Sequence, residues 1–520
     1  MTRVVRREAQ FFILNSAFPI LAGMALGLGL LYWGGAFPSA LVGLLIFSAL
    51  ALVRPDQGLL FVALTMPLYL IPAAIPGLRG DPARLFLLPV HEAALLAVTA
   101  ATLARWAWRF FFIQQASRSR SQSRPRALLR QYAPPLLFFA AGVWGLLIAI
   151  ERGPALIEFR RLIAEPLLFY ALLTFQKQSQ SDDQDAPHAQ FAEGYPILHS
   201  QFLLAFIFGG ALVALLGLLQ YIGLDLVPYL GAKQCFAPAG GVCSNIVSDG
   251  GVRRVISVYG HPNNLGLYLG RVWPLAAALG IYNSRKGSQS KIVDHKSKVP
   301  NGWLYLVASL LCLGGILVSF SRGAWLGVLA ALAVLALPAL RARFGGRAAP
   351  ALVGLCVVLA ALAGLGLTVR GDLAGGSTPI RLLLWREAIG YIRLHPLGIG
   401  LDQFLHYHDP NSGRSLIDQS LIGTSEQYAA HPHNMLLDTW LRLGPLGLVA
   451  FGWLLVRCFS AGWARLRDPI VLGALAAITA ALVHGLVDNF YFVPDLALTF
   501  WLLIALVERS AQPMIGDDRQ

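Results

Sequence analysis

His433 stands just ahead of an apolar run in AAHPHNMLLDTWLRLGPLGLVAFGWLL. A neutral imidazole, with an ordinary pKa near 6.5, can accept a proton from a hydroxyl at ambient pH, so His433 is a candidate general base. A histidine at a helix start also serves as a cap or structural donor, and that second reading stays open here. Three arginines invite a different chemistry. Arg322 lies in VSFSRGAWLG, in a very short turn between two apolar runs; Arg254 lies in RRVISVYGHPNNLGLYLG, ahead of another; Arg381 lies four residues before Trp385 in GGSTPIRLLLWREAIGYIRLHP. Arginine cannot discharge by losing its proton, so a guanidinium set against a membrane needs an anionic partner. Three converging guanidiniums would make a pyrophosphate clamp through bidentate hydrogen bonds. Anchoring to lipid head groups is the competing reading, and for Arg381 it takes the form of an amphipathic surface helix with a snorkelling side chain. His431, two positions before His433, suggests a metal pair, but no clear Cys or carboxylate set accompanies it and no metal is expected.

These residues need a scaffold, and composition names its class. Hydrophobic residues make up 56% of the 520 and charged residues 13%, about half the charged share of a soluble protein. A soluble domain could not cover its surface with so little charge, so the chain reads as an all-α, polytopic membrane protein. Collagenous, disulfide-scaffold and disordered classes are excluded by the same figures. At about 20 apolar residues per span there are about fourteen candidates, centred near residues 22, 45, 66, 95, 142, 168, 212, 273, 310, 331, 358, 449, 478 and 500. A cytoplasmic N-terminus puts most of the 41 Lys and Arg inside, including the basic stretches 105–130 and 285–298, with both termini cytoplasmic. The net charge of +14 is then mainly a topology signal, and no nucleic-acid partner is expected. The apolar stretch at the N-terminus continues beyond residue 30 without a small-residue cleavage site, which reads as a retained first span.

The same topology places Arg254, Arg322, Arg381 and His433 on the outward side. The chain divides into N-terminal spans with basic cytoplasmic loops (1–250), a core (251–450) holding a large outward loop (369–433) between the spans near 358 and 449, and C-terminal spans with a cytoplasmic tail (451–520). Within that loop Ser377 or Thr378 as N-cap, Pro379 in the first turn and Pro396 as a stop predict a helix on which positions 381, 385, 388 and 392 share a face. Cys235 and Cys243, eight positions apart in the outward segment AKQCFAPAGGVCSN, are candidates for a disulfide; two inert thiols are the alternative. Cys312, Cys356 and Cys458 read as small hydrophobes within spans.

Four blocks in order across about residues 250–450 resemble the bacterial O-antigen ligases and the related O-antigen polymerases. They are RVISVYGHPNNLGLYL (Arg254, Pro262, Asn263), SFSRGAWLG (Ser321, Arg322, Gly323), RLLLWREAIGYIRLHPLGIGLDQF (Arg381, Trp385, Pro396, Gly398, Gly400, Phe404) and HNMLLDTWLRLGPLGL (His433, Asn434, Gly444, Gly447). Arg442, where the family often has an acidic residue, and Pro445 depart from the pattern. The resemblance implies a GT-C-like membrane glycosyltransferase, inverting and metal-independent, without a cofactor, in the cytoplasmic membrane; roughly twelve spans are common in that family, so of the fourteen runs counted one or two are expected to be re-entrant or interfacial, leaving about 12–14. A glycan on undecaprenyl pyrophosphate would pass at the outer face to a hydroxyl of lipid A-core (ligase) or of another lipid-linked glycan (polymerase). Arg254, Arg322 and Arg381 would hold the pyrophosphate, His433 would take the proton, and Asn263, Ser321, Trp385 and Asn434 would support them.

A membrane transporter, of bicarbonate or a lipid-linked sugar, is the competing class. Glu92, Glu158, Arg160, Arg161, Glu165, Arg271 and Asp488 would then line its path. Structural pairing, such as Glu158 with Arg161 at helical spacing, accounts for most of these, and the chain shows no internal repeat of the kind many transporters carry. A scaffold protein would leave the outward Arg and His set unexplained.

Overall fold

The computed structural model describes residues 2–76, 85–112, 125–181, 197–231, 233, 246–249, 252–289, 302–347 and 377–510. The apolar run near 358, the first residues of the outward loop, Cys235, Cys243 and Cys356 lie outside the described residues. The chain is an all-α polytopic membrane protein with two small hairpins. Its helices are α1 (Thr2–Trp33), α2 (Phe37–Val53), α3 (Pro55–Thr65), α4 (Val90–Phe112), α5 (Pro125–Ile148), α6 (Arg152–Glu158), α7 (Glu165–Ser181), α8 (Ile197–Tyr221), α9 (Pro262–Gln289), α10 (Gly302–Ser319), α11 (Arg322–Phe344), α12 (Ser377–Leu394), α13 (Phe404–His408), α14 (Met435–Trp463), α15 (Pro469–Gly485) and α16 (Pro494–Ser510). Five stretches, Gln201–Tyr221, Pro262–Arg285, Gly302–Ser319, Arg322–Phe344 and Met435–Trp463, are long and apolar enough to cross a membrane. Their buried faces, with α15 and α16, build the main apolar core around Trp273, Ile316, Phe451, Ile478 and Trp501.

The run near residue 66 is not a span. Helix α3 is only 11 residues long, the chain then makes a short 3-10 turn, and strand β1 (Ala73–Pro76) pairs antiparallel with β2 (Leu85–Leu88). Pro67, Pro72 and Pro76 remove three backbone donors within ten residues, which no uninterrupted helix tolerates. The run near 168 also begins irregularly, with a π-helical segment Phe159–Ala164 between α6 and α7. Such a wide turn shifts the phase of the helix. Glu158 consequently pairs with Arg442, not with Arg161. Arg161 instead meets Glu92 at 3.0 Å, and Arg160 bridges Glu92 at 2.8 Å and Glu165 at 3.0 Å.

Helix α14 breaks about two and a half turns after its start. Gly444 takes φ +68°, a left-handed value, and Pro445 has no N–H to give the carbonyl of Leu441 four residues back. That freed carbonyl accepts from Ile399 N at 2.7 Å and Gly400 N at 3.1 Å, so the segment Pro396–Leu401 lies backbone to backbone against the break. Trp440 Nε1 donates to Pro396 O and Trp144 Nε1 to Leu397 O, each at 2.9 Å. The expected α12 forms and ends at Leu394, before Pro396. Leu384, Ala388 and Tyr391 on its buried face join Phe404, Tyr407, Leu421 and Leu441 in a second apolar core belonging to the large loop.

Candidate active site

Arg254, Ser321, His433 and Asp488 all sit at one end of the helix bundle, because α9, α11 and α14 begin there and α10 and α15 finish there. Strand β4 (Val252–Val255), paired antiparallel with β3 (Ile246–Asp249), delivers Arg254 to this end. Its guanidinium donates from Nε to Ser319 O and from NH2 to Asn263 Oδ1, both at 3.1 Å. The amide of Asn263 then donates from Nδ2 to Asp488 Oδ2. Asn263 thus joins a cation to a carboxylate, using both ends of its side chain.

Asp488 lies in the short segment between α15 and α16, buried, and its other oxygen accepts from His433 Nδ1 at 3.1 Å and from Asn489 N at 2.7 Å. Arg381 NH2 stands 3.9 Å from Oδ2. On the far side of the imidazole ring, Nε2 is 3.4 Å from Glu426 Oε2. Burial opposes charge on His433, but the bonds to Asp488 and Glu426 outweigh it and push the imidazole up to about 9. Burial likewise opposes charge on Asp488, and the His433 bond and the nearby imidazoles hold its carboxyl well below the usual range. Both shifts favour an imidazolium between two carboxylates.

Local structure aims the ring. His433 adopts φ +50°, an uncommon backbone state for a side chain of this size. Asn434 caps α14 by accepting from Leu436 N at 3.0 Å and Leu437 N at 3.1 Å. Asn434 Nδ2 also donates to Leu486 O at 3.0 Å, tying the start of α14 to the segment that carries Asp488. Trp385, one helical turn after Arg381, donates from Nε1 to His433 O at 3.4 Å. Ser321 caps α11 and its Oγ lies 3.3 Å from His484 Nε2. Gly323 leaves room for that imidazole, since a Cβ there would stand 2.3 Å from His484 Cδ2. Arg322 is the first residue of α11, half-buried, between these two contacts in the sequence.

Arg254, Asn263, Arg381, Trp385, His433 and Asn434 are thus gathered into one linked set. Ser321 lies against His484, and Arg322 follows Ser321 in the chain. Asp488 and Glu426 are the members that sequence reasoning missed. Asp488 had entered only as a lining residue of a transport path, yet a carboxylate in a short segment between apolar runs on the outward side of the expected topology carries the same signal that singled out Arg322. Glu426 had no such signal. It lies in the 3-10 turn Ser425–Tyr428, whose cap Thr424 accepts from Glu426 N at 3.2 Å.

Two groups of ligand-type atoms, each within 4.8 Å, occur among the described residues: His431 with His433 and Asp488, and His91 with Glu92 and Glu165. In the first, His431 Nδ1 already accepts from His433 N at 3.3 Å, and Asp488 is engaged by Asn263 and Arg381. In the second, both carboxylates are neutralised by Arg160 and Arg161.

Residues 307–452 match the family model described as O-antigen ligase. No curated protein matches the chain.

Proposed function

From the match of residues 307–452 to the O-antigen ligase family model we propose that the chain belongs to that superfamily and carries out a glycosyl transfer at the outer face of the cytoplasmic membrane. A glycan carried on undecaprenyl pyrophosphate passes to an acceptor hydroxyl, lipid A-core in a ligase. The observation that carries this reading is the chain of contacts Arg254–Asn263–Asp488–His433, with Arg381 on the same carboxylate. It sets cations suited to a pyrophosphate beside a group suited to a hydroxyl proton.

In the reaction the acceptor oxygen attacks the anomeric carbon while the bond from that carbon to the phosphate oxygen breaks. The bonding pair leaves on the pyrophosphate, and the acceptor proton goes to His433 Nε2. One displacement of this kind inverts the anomeric centre and needs no metal. Arg254, Arg322 and Arg381 stabilise the negative charge as it grows on the leaving group. Asp488 holds the Nδ1–H side so that Nε2 faces the acceptor, the role a carboxylate plays behind a catalytic histidine.

The ion pairs of Glu92, Glu158, Arg160, Arg161 and Glu165 account for five of the seven ionisable groups that a transport path would claim; of the other two, Asp488 bonds His433 and Arg271 donates to Phe490 O. The decisive experiment offers the reconstituted protein a lipid-linked oligosaccharide with and without a lipid A-core acceptor. One capped product that requires the acceptor supports a ligase; a ladder without it makes the protein a polymerase. His433→Ala and Arg322→Ala are expected to insert in the membrane normally and to lose transfer. Normal product from His433→Ala would remove the base from this scheme, and transport without transfer by the wild type would replace it.

A further inference from the structure

Glu426 does something that the transfer scheme leaves unexplained. Its carboxylate stands 3.4 Å from His433 Nε2, the atom that must receive the acceptor proton. While it stays there, no hydroxyl can approach that nitrogen. Its placement is built, not incidental. His408 is fully buried, with Nδ1 2.9 Å from both oxygens of the buried Glu387. From its other nitrogen, Nε2, it donates to the backbone carbonyl of Glu426 at 2.8 Å. Tyr391 OH lies 2.8 Å from Glu387 Oε1, fixing that carboxylate to α12. A buried imidazole and carboxylate are costly to desolvate, and here the imidazole bonds the main chain of Glu426.

We propose that Glu426 is a displaceable stopper: in the empty enzyme it occupies the place on His433 Nε2 that the acceptor hydroxyl takes, and the Glu387–His408 pair positions it there. This rests on the transfer reading of the site. On acceptor entry the His433 Nε2 proton moves to Glu426 Oε2, the neutral carboxyl swings away and releases the proton to water, and Nε2 is left with a free lone pair. The acceptor hydroxyl then gives its proton to Nε2 as its oxygen bonds the anomeric carbon. The carboxylate returns to the new imidazolium when product leaves. One proton is released per transfer, the one the acceptor hydroxyl loses. Until an acceptor arrives the base is blocked, so water is not activated and the costly lipid-linked donor is not wasted.

The groups whose charge bears on His433 are Asp488 after α15, Glu426 in its turn, His431 beside it, His261 ahead of α9 and Asp438 on α14, while Arg381 on α12 acts on Glu426. Of these, Glu426 and Asp488 bond the ring, so the isosteric change Glu426→Gln removes one anion and leaves the Asp488 contact in place.

The test has two arms. In the first, protein labelled with 15N-histidine in nanodiscs is titrated without any substrate. Glu426→Gln should lower the His433 midpoint by about one pH unit or more. His408→Phe should lower it in the same direction, and His408→Gln, whose amide can still donate to the Glu426 carbonyl, should restore most of the wild-type value. A midpoint unmoved by Glu426→Gln overturns the proposal. In the second arm, an undecaprenyl-pyrophosphate-linked oligosaccharide is incubated without acceptor and released glycan is measured. Glu426→Gln should hydrolyse the donor several-fold faster than wild type; equal hydrolysis by two folded proteins that both perform transfer overturns the stopper. A wild type with no transfer at all rejects the functional reading instead, while the titration still decides whether Glu426 controls His433.

Discussion

Asp488 is the residue on which the proposed site turns, because it joins the His433 ring to Arg254 through Asn263. Its effect on His433 sets the pH behaviour. Only the neutral imidazole accepts a proton, so transfer should climb as pH rises towards about 9, where His433 titrates. Asp488→Asn removes an anion that favours the imidazolium, so the rising limb should move to lower pH. The same change loses the partner that orients the ring, and maximal rate should fall by about 10²–10⁴-fold, the usual worth of a positioned acid–base group. Rates of both proteins from pH 6 to 10 check both statements; an unmoved limb would mean that another group titrates. His433 and the arginines were readable because each is an ionisable group pressed against an apolar run. Asp488 sends its carboxylate to a histidine 55 positions away in the sequence, and no local pattern reports a contact over that separation.

At the scale of elements, the break in α14 couples the loop that carries Arg381 and Trp385 to the helix that begins after His433. The Gly-Pro pair signals a break, but the sequence does not say what accepts the freed carbonyl. The structure answers with Ile399 N and Gly400 N. Gly444→Ala is expected to cost about 1–3 kcal/mol, since the residue is left-handed and strained for any L side chain. The added Cβ would also stand 2.5 Å from Leu397 O. Thermal unfolding in detergent should show a lowered midpoint, whereas Gly452→Ala, with open space around the new Cβ, should leave it nearly unchanged. Equal midpoints for the two variants would show that the segment Pro396–Leu401 does not depend on this close approach. The run near residue 66 teaches the opposite lesson: its hydropathy matches a span, and its prolines override it.

Across the whole molecule, Arg442 links elements far apart in the chain. It pairs with Asp438 at 2.7 Å and with Glu158, and stacks 4.8 Å above the Phe492 ring. Arg442→Met leaves two buried carboxylates without their cation, an imbalance that typically costs about 3–5 kcal/mol. The yield of folded, monodisperse protein should drop sharply, and adding Glu158→Gln and Asp438→Asn should recover much of it. No recovery would mean that the packing of the arginine stem, not its charge, is what the fold needs. Arg442 departs from the pattern of the resembling family, and its acidic partners could not be found from that resemblance.

What the sequence determined by itself was the class of the molecule, most of its apolar helices, and the residues gathered at one end of the bundle. These follow from local quantities: apolar run length, the side on which cations fall, and the caps and breakers at helix ends. What only the tertiary structure decided was pairing. Glu158 with Arg442, Asp488 with His433, and Glu426 beside His433 Nε2 all depend on helix rotation and on a loop that folds upon its own small core. Rotation is set by packing among many helices at once. A shift of phase as small as the π-helical turn before α7 is enough to exchange one ion-pair partner for another.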